Sequence, residues 1–351
     1  MKFNWTTGPL RLVLTAESAD FDSVTIQNWK DEGYSVSYLP FVDSRKEYIH
    51  KLQHLADPLE LGQKYAIVAY GEAATVALGV CRSPMAKLCA LVAYYPTELP
   101  VVTTGFPPSL TVAVHLTESQ PKAPKTYGST YRYPHAEEGF AENDLETYEK
   151  VAASLAWSRS LAAVRKGFDV EVDLEKVWEE HLALEFLHKD ADSTMRTMVP
   201  EPYVNHIPTI TGGIGSKDLH RFYRDFFIPN NPPSMKFRLI SRTIGTDRVV
   251  DEMFLSFRHT QEISWILPGV KPTDKEVEVA LVSIVCIRGG KLYHEHIYWD
   301  QATVLVQIGL LDAKMVPKGK FAKKLPVVGR EGARKVLDES SVPSNELIEK
   351  W

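Results

Sequence analysis

Residues 291–300 read KLYHEHIYWD. Polar and aromatic side chains alternate along this stretch, the period-two pattern of a strand whose two faces differ chemically. His294, His296, Tyr298 and Asp300 fall on one face, and Tyr293, Glu295, Ile297 and Trp299 on the other. Three β-rich segments precede it, at residues 235–244, 248–260 and 276–287, and Gly289-Gly290 fits a tight hairpin before the last strand. Within residues 248–260, Asp251, Met253, Leu255, Phe257 and His259 share a face. Titratable groups mixed with Met, Phe and Trp on long antiparallel strands are what a small-molecule pocket requires.

Upstream of these strands the pattern is helical over residues 142–189, in two pieces broken near 167–172. The second piece places Leu174, Val177, Trp178, His181, Leu182 and Phe186 on one stripe, with Asp173 in the N-cap position. Pro200, Pro202 and Pro208 predict a loop, and residues 216–227 another helix capped by Ser216. Gly212-Gly213-Ile214-Gly215 lacks the Lys-Ser/Thr ending of a phosphate loop and reads as a loop feeding that helix. Residues 301–311 fit helix or strand equally well. The segment 313–351 carries Lys314, Lys318, Lys320, Lys323 and Lys324 and a short helix near residues 332–337. Helices followed by antiparallel strands make this half α+β.

The first 145 residues differ. Apolar runs at residues 10–15, 34–41, 65–70, 88–94 and 110–116 alternate with helical patterns, which predicts a parallel sheet covered by helices, an α/β layout. The expected organisation is therefore a first domain over 1–145, a helical linker over 146–172, a second domain over 173–312 and a C-terminal tail over 313–351. In the 351-residue chain, 40 basic against 45 acidic residues give a net charge of −5, with no basic footprint for nucleic acid or an anionic membrane. Hydrophobic residues at 44% and charged residues at 24% exclude a disordered class. Cys81, Cys89 and Cys286 form no C-x-x-C pair, which fits a reducing compartment. The first residues lack a signal-peptide pattern, and no apolar run approaches the ~18 residues of a membrane span, so a cytoplasmic protein is expected.

Two family resemblances follow. Residues 71–75, Gly-Glu-Ala-Ala-Thr, stand where the strand-to-helix nucleophile turn of an α/β-hydrolase would be, and residues 133–140, YPHAEEGF, resemble the histidine segment of the dienelactone hydrolase family. The resemblance covers roughly the first 145 residues and implies a shortened α/β-hydrolase-like sheet. Ala73 occupies the nucleophile position and Glu138 the histidine position, while Glu118 stands where the family's acid would be. With nucleophile and base absent, that mechanism cannot run, so a degenerate, non-catalytic scaffold is expected. Residues 170–312 resemble the SnoaL-like polyketide cyclases, through the helix entering Tyr203-Val204-Asn205-His206, the helix near residues 218–227 and the closing strand 294–300. That resemblance implies a cone of curved antiparallel sheet and helices, and acid–base roles for His206 and Asp300. It also implies a homodimer. A fusion of these two halves is similar to a group of proteins labelled carboxymethylenebutenolidase by their front half.

These readings lead to cofactor-independent acid–base catalysis (cyclisation, lactonisation or isomerisation) on a polyketide-type, carbonyl-rich small molecule. Asp300, His206 and His296 are the expected catalytic residues, and Tyr203, Tyr298, His259, Asp251 and Trp265 the expected substrate contacts. A carboxyl group walled by Trp, Tyr and Leu would lose solvation and rise in pKa toward working pH. No metal or organic cofactor is expected; His294-x-His296 with Asp300 lacks a further well-placed ligand. The alternatives are a hydrolase of cyclic esters and a small-molecule binding protein without turnover.

Overall fold

The computed structural model describes residues 8–101, 103–315 and 324–348. Its first unit, Met1–Val172, is built on β1 (Leu10–Ala16), α1 (Ser23–Asp31), β2 (Tyr34–Pro40), α2 (Arg45–Gln53), β3 (Tyr65–Tyr70), α3 (Gly71–Val80), β4 (Leu88–Tyr94), β5 (Thr111–Thr117), β6 (Ser129–Tyr133) and α4 (Lys150–Phe168). Among the described residues its strands form one parallel sheet in the order β2-β1-β3-β4-β5-β6. Every residue of β3 and β4 is buried, as expected of central strands covered on both faces. The unexpected strand is β6, whose sequence Ser-Thr-Tyr-Arg-Tyr has no apolar run because it lies at the edge of the sheet.

Residues 146–172 are not a linker. Helix α4 packs on β4 and β5, Trp157 meets Trp29 at 4.6 Å between ring centroids, and Arg165 pairs with Glu32 at 2.7 Å. The break expected near 167–172 falls at residues 169–173, between this helix and the next, and Gly167 lies in the last turn of α4. A Cβ there would come within 2.6 Å of the Cys89 carbonyl oxygen and 2.8 Å of the Ala90 Cβ, so glycine is needed for the close approach of helix to strand.

The second unit, Asp173–Trp351, begins with α5 (Leu174–Leu182), which widens into a π-helical turn over Ala183–His188. It continues through α6 (Ala191–Arg196), β7 (Met198–His206), β8 (Thr211–Ile214) and α7 (Gly215–Phe222), itself followed by a π-helical turn over Tyr223–Phe227. Then come β9 (Lys236–Ile244), β10 (Arg248–Arg258), β11 (Glu276–Arg288), β12 (Lys291–Trp299), α8 (Gln301–Ile308) and α9 (Arg330–Leu337). The sheet order is β8-β7-β12-β11-β10-β9, antiparallel except where β12 runs parallel to β7. Asp173 caps α5, its carboxylate accepting from the Lys176 amide at 3.0 Å.

Several local expectations change. Pro200 and Pro202 lie within β7, not a loop; they fall in the gap between the Leu292–Met198 and His294–Tyr203 pairings, where a missing N–H costs no ladder bond. Gly212 and Gly213 belong to β8, and a Cβ on Gly212 would lie 2.1 Å from the Val204 carbonyl oxygen. Ser216 is inside the first turn of α7 and donates to the Pro200 carbonyl at 2.6 Å, so it does not cap the helix. Helix α9 packs on β11 through Arg334 and Glu278, while Lys318, Lys320 and Lys323 lie outside the described residues. None of the described helices is long and apolar enough to cross a membrane.

Replacing Gly167 by alanine is expected to destabilise the first unit by about 1–3 kcal/mol, the range for overpacking a filled contact. Hydrogen exchange of β4 and α4 amides measures it: faster exchange in the variant is the expected result, and unchanged protection would refute the close-approach argument.

Candidate functional site

The second unit encloses a cavity of about 520 Å³. Its walls are largely apolar: Leu182 and Phe186 from α5 and its π-helical turn, Phe227 from the second π-helical turn, Met253 and Leu281 from β10 and β11, and Val204 and Ile297 from β7 and β12. Both π-helical turns contribute side chains to it. Such widened turns recur at functional sites because the extra residue redirects the side chains around it.

A polar cluster stands at this apolar wall, Glu185 and Glu295 lining the cavity and His181 lying outside the lining. His181, Glu185 and Glu295 are all buried, and one ligand atom from each lies within 4.8 Å of the others. His181 and Glu185 are four residues apart, the spacing that brings two helical side chains to one face. His181 Nε2 and Glu185 Oε1 are 2.9 Å apart, and His181 Nδ1 lies 2.6 Å from Thr197 Oγ1. The Thr197 hydroxyl donates to the Thr194 carbonyl at 2.7 Å, so it accepts from His181 and the ring carries its proton on Nδ1. One further proton therefore joins Nε2 to Glu185.

Glu295 is held differently. Burial, reinforced by the neighbouring Glu185 and Asp251 charges, pushes its carboxyl well above the ordinary carboxylate range, and no hydrogen bond offsets this among the described residues. The Tyr223 hydroxyl is likewise driven well above its usual value, first by burial and then by the Glu185 and Glu295 charges. Ser283 lines the same cavity with a buried Oγ that has no hydrogen-bond partner. At another part of the wall His206 packs on Trp265 at 4.9 Å and donates from Nδ1 to the Thr211 carbonyl at 3.1 Å. Burial lowers its pKa to about 4, so the ring is neutral near pH 7 and Nε2 is its lone-pair nitrogen.

The structure separates the residues singled out from sequence. His206 and Trp265 line the cavity. Asp300 does not: it is exposed and caps α8, accepting from the Ala302 amide at 2.9 Å and the Thr303 hydroxyl at 2.6 Å, so the desolvation expected of it is absent. His296 and Tyr298 leave β12 on the side opposite Glu295 and Ile297, and Tyr203 packs there against His296 at 5.4 Å. From His294 onward the even-numbered face of β12 is thus the outer one, because the odd-numbered face carries Ile297 and Trp299 and goes to the core. Asp251 is buried but committed elsewhere, accepting from Arg242 at 2.7 and 2.9 Å and from Trp178 Nε1 at 2.8 Å. His259 is buried outside the cavity lining, its Nδ1 3.0 Å from the Thr273 hydroxyl. Sequence reasoning missed Glu185 and Glu295 and left His181 in an apolar stripe. The available signals were an i, i+4 His–Glu pair on the buried face of a helix and a glutamate in phase with Ile297 and Trp299.

In the first unit, Ser160 Oγ lies 2.9 Å from His115 Nε2, with Tyr133 at the other ring nitrogen and Tyr94 on the serine. All four residues are buried, and burial lowers the His115 pKa to about 3. Ala73 is buried at the start of α3. The Cys81 and Cys89 thiols are pushed up to about 12 by burial, which leaves them unreactive.

No protein-family model matches the chain, and no curated protein matches it. Solved structures similar to part of it include TsrD from Streptomyces laurentii, 18% identical, with 40% of this chain and 100% of that one covered and a TM-score of 0.33. A protein described as a SnoaL-like polyketide cyclase from Jannaschia sp. CCS1 is 17% identical over 41% of this chain and 99% of its own, with a TM-score of 0.32. One described as a polyketide cyclase from Acidithiobacillus ferrooxidans is 16% identical over 40% and 96%, also at 0.32.

The lowered His206 pKa makes stability depend on pH with a definite sign. The neutral ring is favoured in the fold, so its contribution is complete above the unfolded value near 6.5 and is lost as pH falls through about 4. The loss approaches about 3 kcal/mol. His206→Asn is expected to flatten the decline of second-unit stability between these limits, measured by denaturant unfolding at a series of pH values; an unchanged slope would contradict the assignment.

Proposed function

We propose that the second unit binds a largely apolar, carbonyl-rich small molecule in its cavity and moves protons on it, in a cyclisation, lactonisation or isomerisation of a polyketide-type compound. One observation carries this reading: Glu185 and Glu295, both buried, line an otherwise apolar cavity of about 520 Å³, with His181 hydrogen-bonded to Glu185 from outside the lining. A volume of this order suits a small organic ligand, for which pockets run from roughly 300 to 1,000 Å³. Carbon acids flanked by carbonyl groups release an α-proton readily, so positioned carboxyl and imidazole groups suffice to take and return it.

The roles follow from the hydrogen-bond inventory. The His181–Glu185 pair already shares a proton, and delivering it to a substrate carbanion moves one negative charge from the substrate to the pair. Among the described residues Glu295 accepts no hydrogen bond, which makes it the carboxyl group available to a ligand. The Ser283 hydroxyl, also without a partner, would hydrogen-bond a substrate oxygen. The first unit is read here as a degenerate hydrolase-like scaffold. Ala73 supplies no nucleophile, and the Ser160–His115 pair is sealed from solvent.

A model β-diketone tests the chemistry through deuterium exchange at its α-carbon, followed by NMR. The full chain is expected to accelerate exchange over buffer, and Glu295→Gln to lower that acceleration by about 10²-fold or more. Exchange no faster than in buffer, or unaffected by Glu295→Gln, would overturn the proposal. The cap residue gives the complementary expectation: Asp300→Ala costs about 1 kcal/mol in stability through the lost N-cap, with exchange activity retained. Loss of activity in folded Asp300→Ala would return that residue to the reaction.

A further inference from the structure

We propose that His181, Glu185 and Glu295 form a binding site for one divalent transition-metal ion, of the Zn²⁺ or Mn²⁺ class, with open coordination positions facing the cavity. Two ligands each ~2.1 Å from a common ion, subtending 90–109°, stand about 3.0–3.4 Å apart. His181 Nε2 and Glu185 Oε1 are 2.9 Å apart, so a small rotation of one side chain admits an ion where the shared proton now lies. A Glu295 oxygen stands within 4.8 Å of both as the third donor.

Independent features support the assignment. The far nitrogen of His181 is anchored through Nδ1–H to Thr197 Oγ1 at 2.6 Å, and Thr197 to the Thr194 carbonyl at 2.7 Å. This is the outer hydrogen bond by which metal-binding histidines are oriented, with Nε2 presented to the ion. Neither Glu185 nor Glu295 is ion-paired with an arginine or lysine among the described residues, although the nearby Asp251 is fully paired with Arg242. Two carboxylates in an apolar wall without a cationic partner are costly unless a cation or protons compensate them. Ser283 Oγ, 1% exposed as a residue and lacking any partner, lines the same cavity and offers a hydrogen bond to a ligand or to metal-bound water. The donor set of one imidazole and two carboxylates suits Zn²⁺, Mn²⁺ or Fe²⁺ better than Ca²⁺ or Mg²⁺, which favour all-oxygen shells. Three protein ligands beside an open cavity is the arrangement of a catalytic rather than a structural site. Such an ion would displace the proton shared by His181 and Glu185 and polarise a substrate carbonyl in place of proton delivery by that pair; that role rests on the proposed function, whereas ion binding does not.

The test uses the full chain, stripped with chelator and titrated with Zn²⁺ by calorimetry and with Co²⁺ by visible absorption. One equivalent per chain is expected, with a raised melting temperature. Glu185→Gln and Glu295→Gln are each expected to weaken binding by at least about tenfold. A His50→Gln/His54→Gln variant removes the exposed stacked pair, an alternative surface site, and should bind as before. X-ray absorption on the Zn²⁺-loaded unmodified chain does not depend on variants folding, and one imidazole among oxygen ligands is expected. Absence of stoichiometric binding, an all-oxygen shell, two or more imidazoles, or binding lost with His50 and His54 would overturn the site. Deuterium exchange by a chain that binds no ion would overturn the metal and leave proton transfer standing. Binding at these ligands with no exchange activity would uphold the metal and overturn the functional proposal.

Discussion

One extra residue in the β11–β12 hairpin governs the chemistry of the second unit. Cys286 pairs with His294 and Ile287 with Leu292, so Tyr293 has no opposite number. A bulge of this kind re-aims the strand beyond it. Leu292 and Glu295 consequently both point inward, followed by Ile297 and Trp299, while His296 and Tyr298 go outward. Because successive side chains of a strand take opposite faces, a shift of one residue would exchange the glutamate for the histidine across the whole sheet.

The inward face of this sheet carries two buried carboxylates with opposite circumstances. Asp251 is held by the Arg242 guanidinium and the Trp178 indole, and Arg242 reaches on to Glu175 and Glu179 of α5. Every strong interaction available to Asp251 is made within the fold, so it ties α5 to the sheet. Glu295 has no such partner among the described residues and lines the cavity with Ser283. Unsatisfied buried polar groups are uncommon in folded proteins because each carries a desolvation cost of about 1–3 kcal/mol. The unpartnered Ser283 hydroxyl beside the Glu295 carboxyl is the feature that distinguishes this cavity from the satisfied network around Asp251.

The first unit presents the reverse case. Its Ser160–His115 pair has hydrogen-bond geometry that could be mistaken for a nucleophile and base, yet Tyr94 and Tyr133 complete every bond and no solvent reaches them. At the amino end of α3, the Glu17 carboxylate accepts the Glu72 amide, so a side chain of the same chain occupies the donor that a ligand would use. A satisfied, dry network of this kind rigidifies the sheet.

Much of the architecture was legible in the linear pattern. The apolar runs of β3 and β4, the stripe on α5, the Asp173 cap and the alternation in β10 depend on local periodicity, and each appears where the residues place it. Tertiary structure decided which face of β12 turns inward, since a strand's two faces are equivalent until a core exists on one side. It also decided that Asp300 is a cap: the same side chain serves as acid or cap according to whether its surroundings exclude water. Above all, it joined His181 and Glu185 to a glutamate more than a hundred positions away, a proximity that no local pattern encodes because it arises from packing α5 against a sheet completed near the end of the chain.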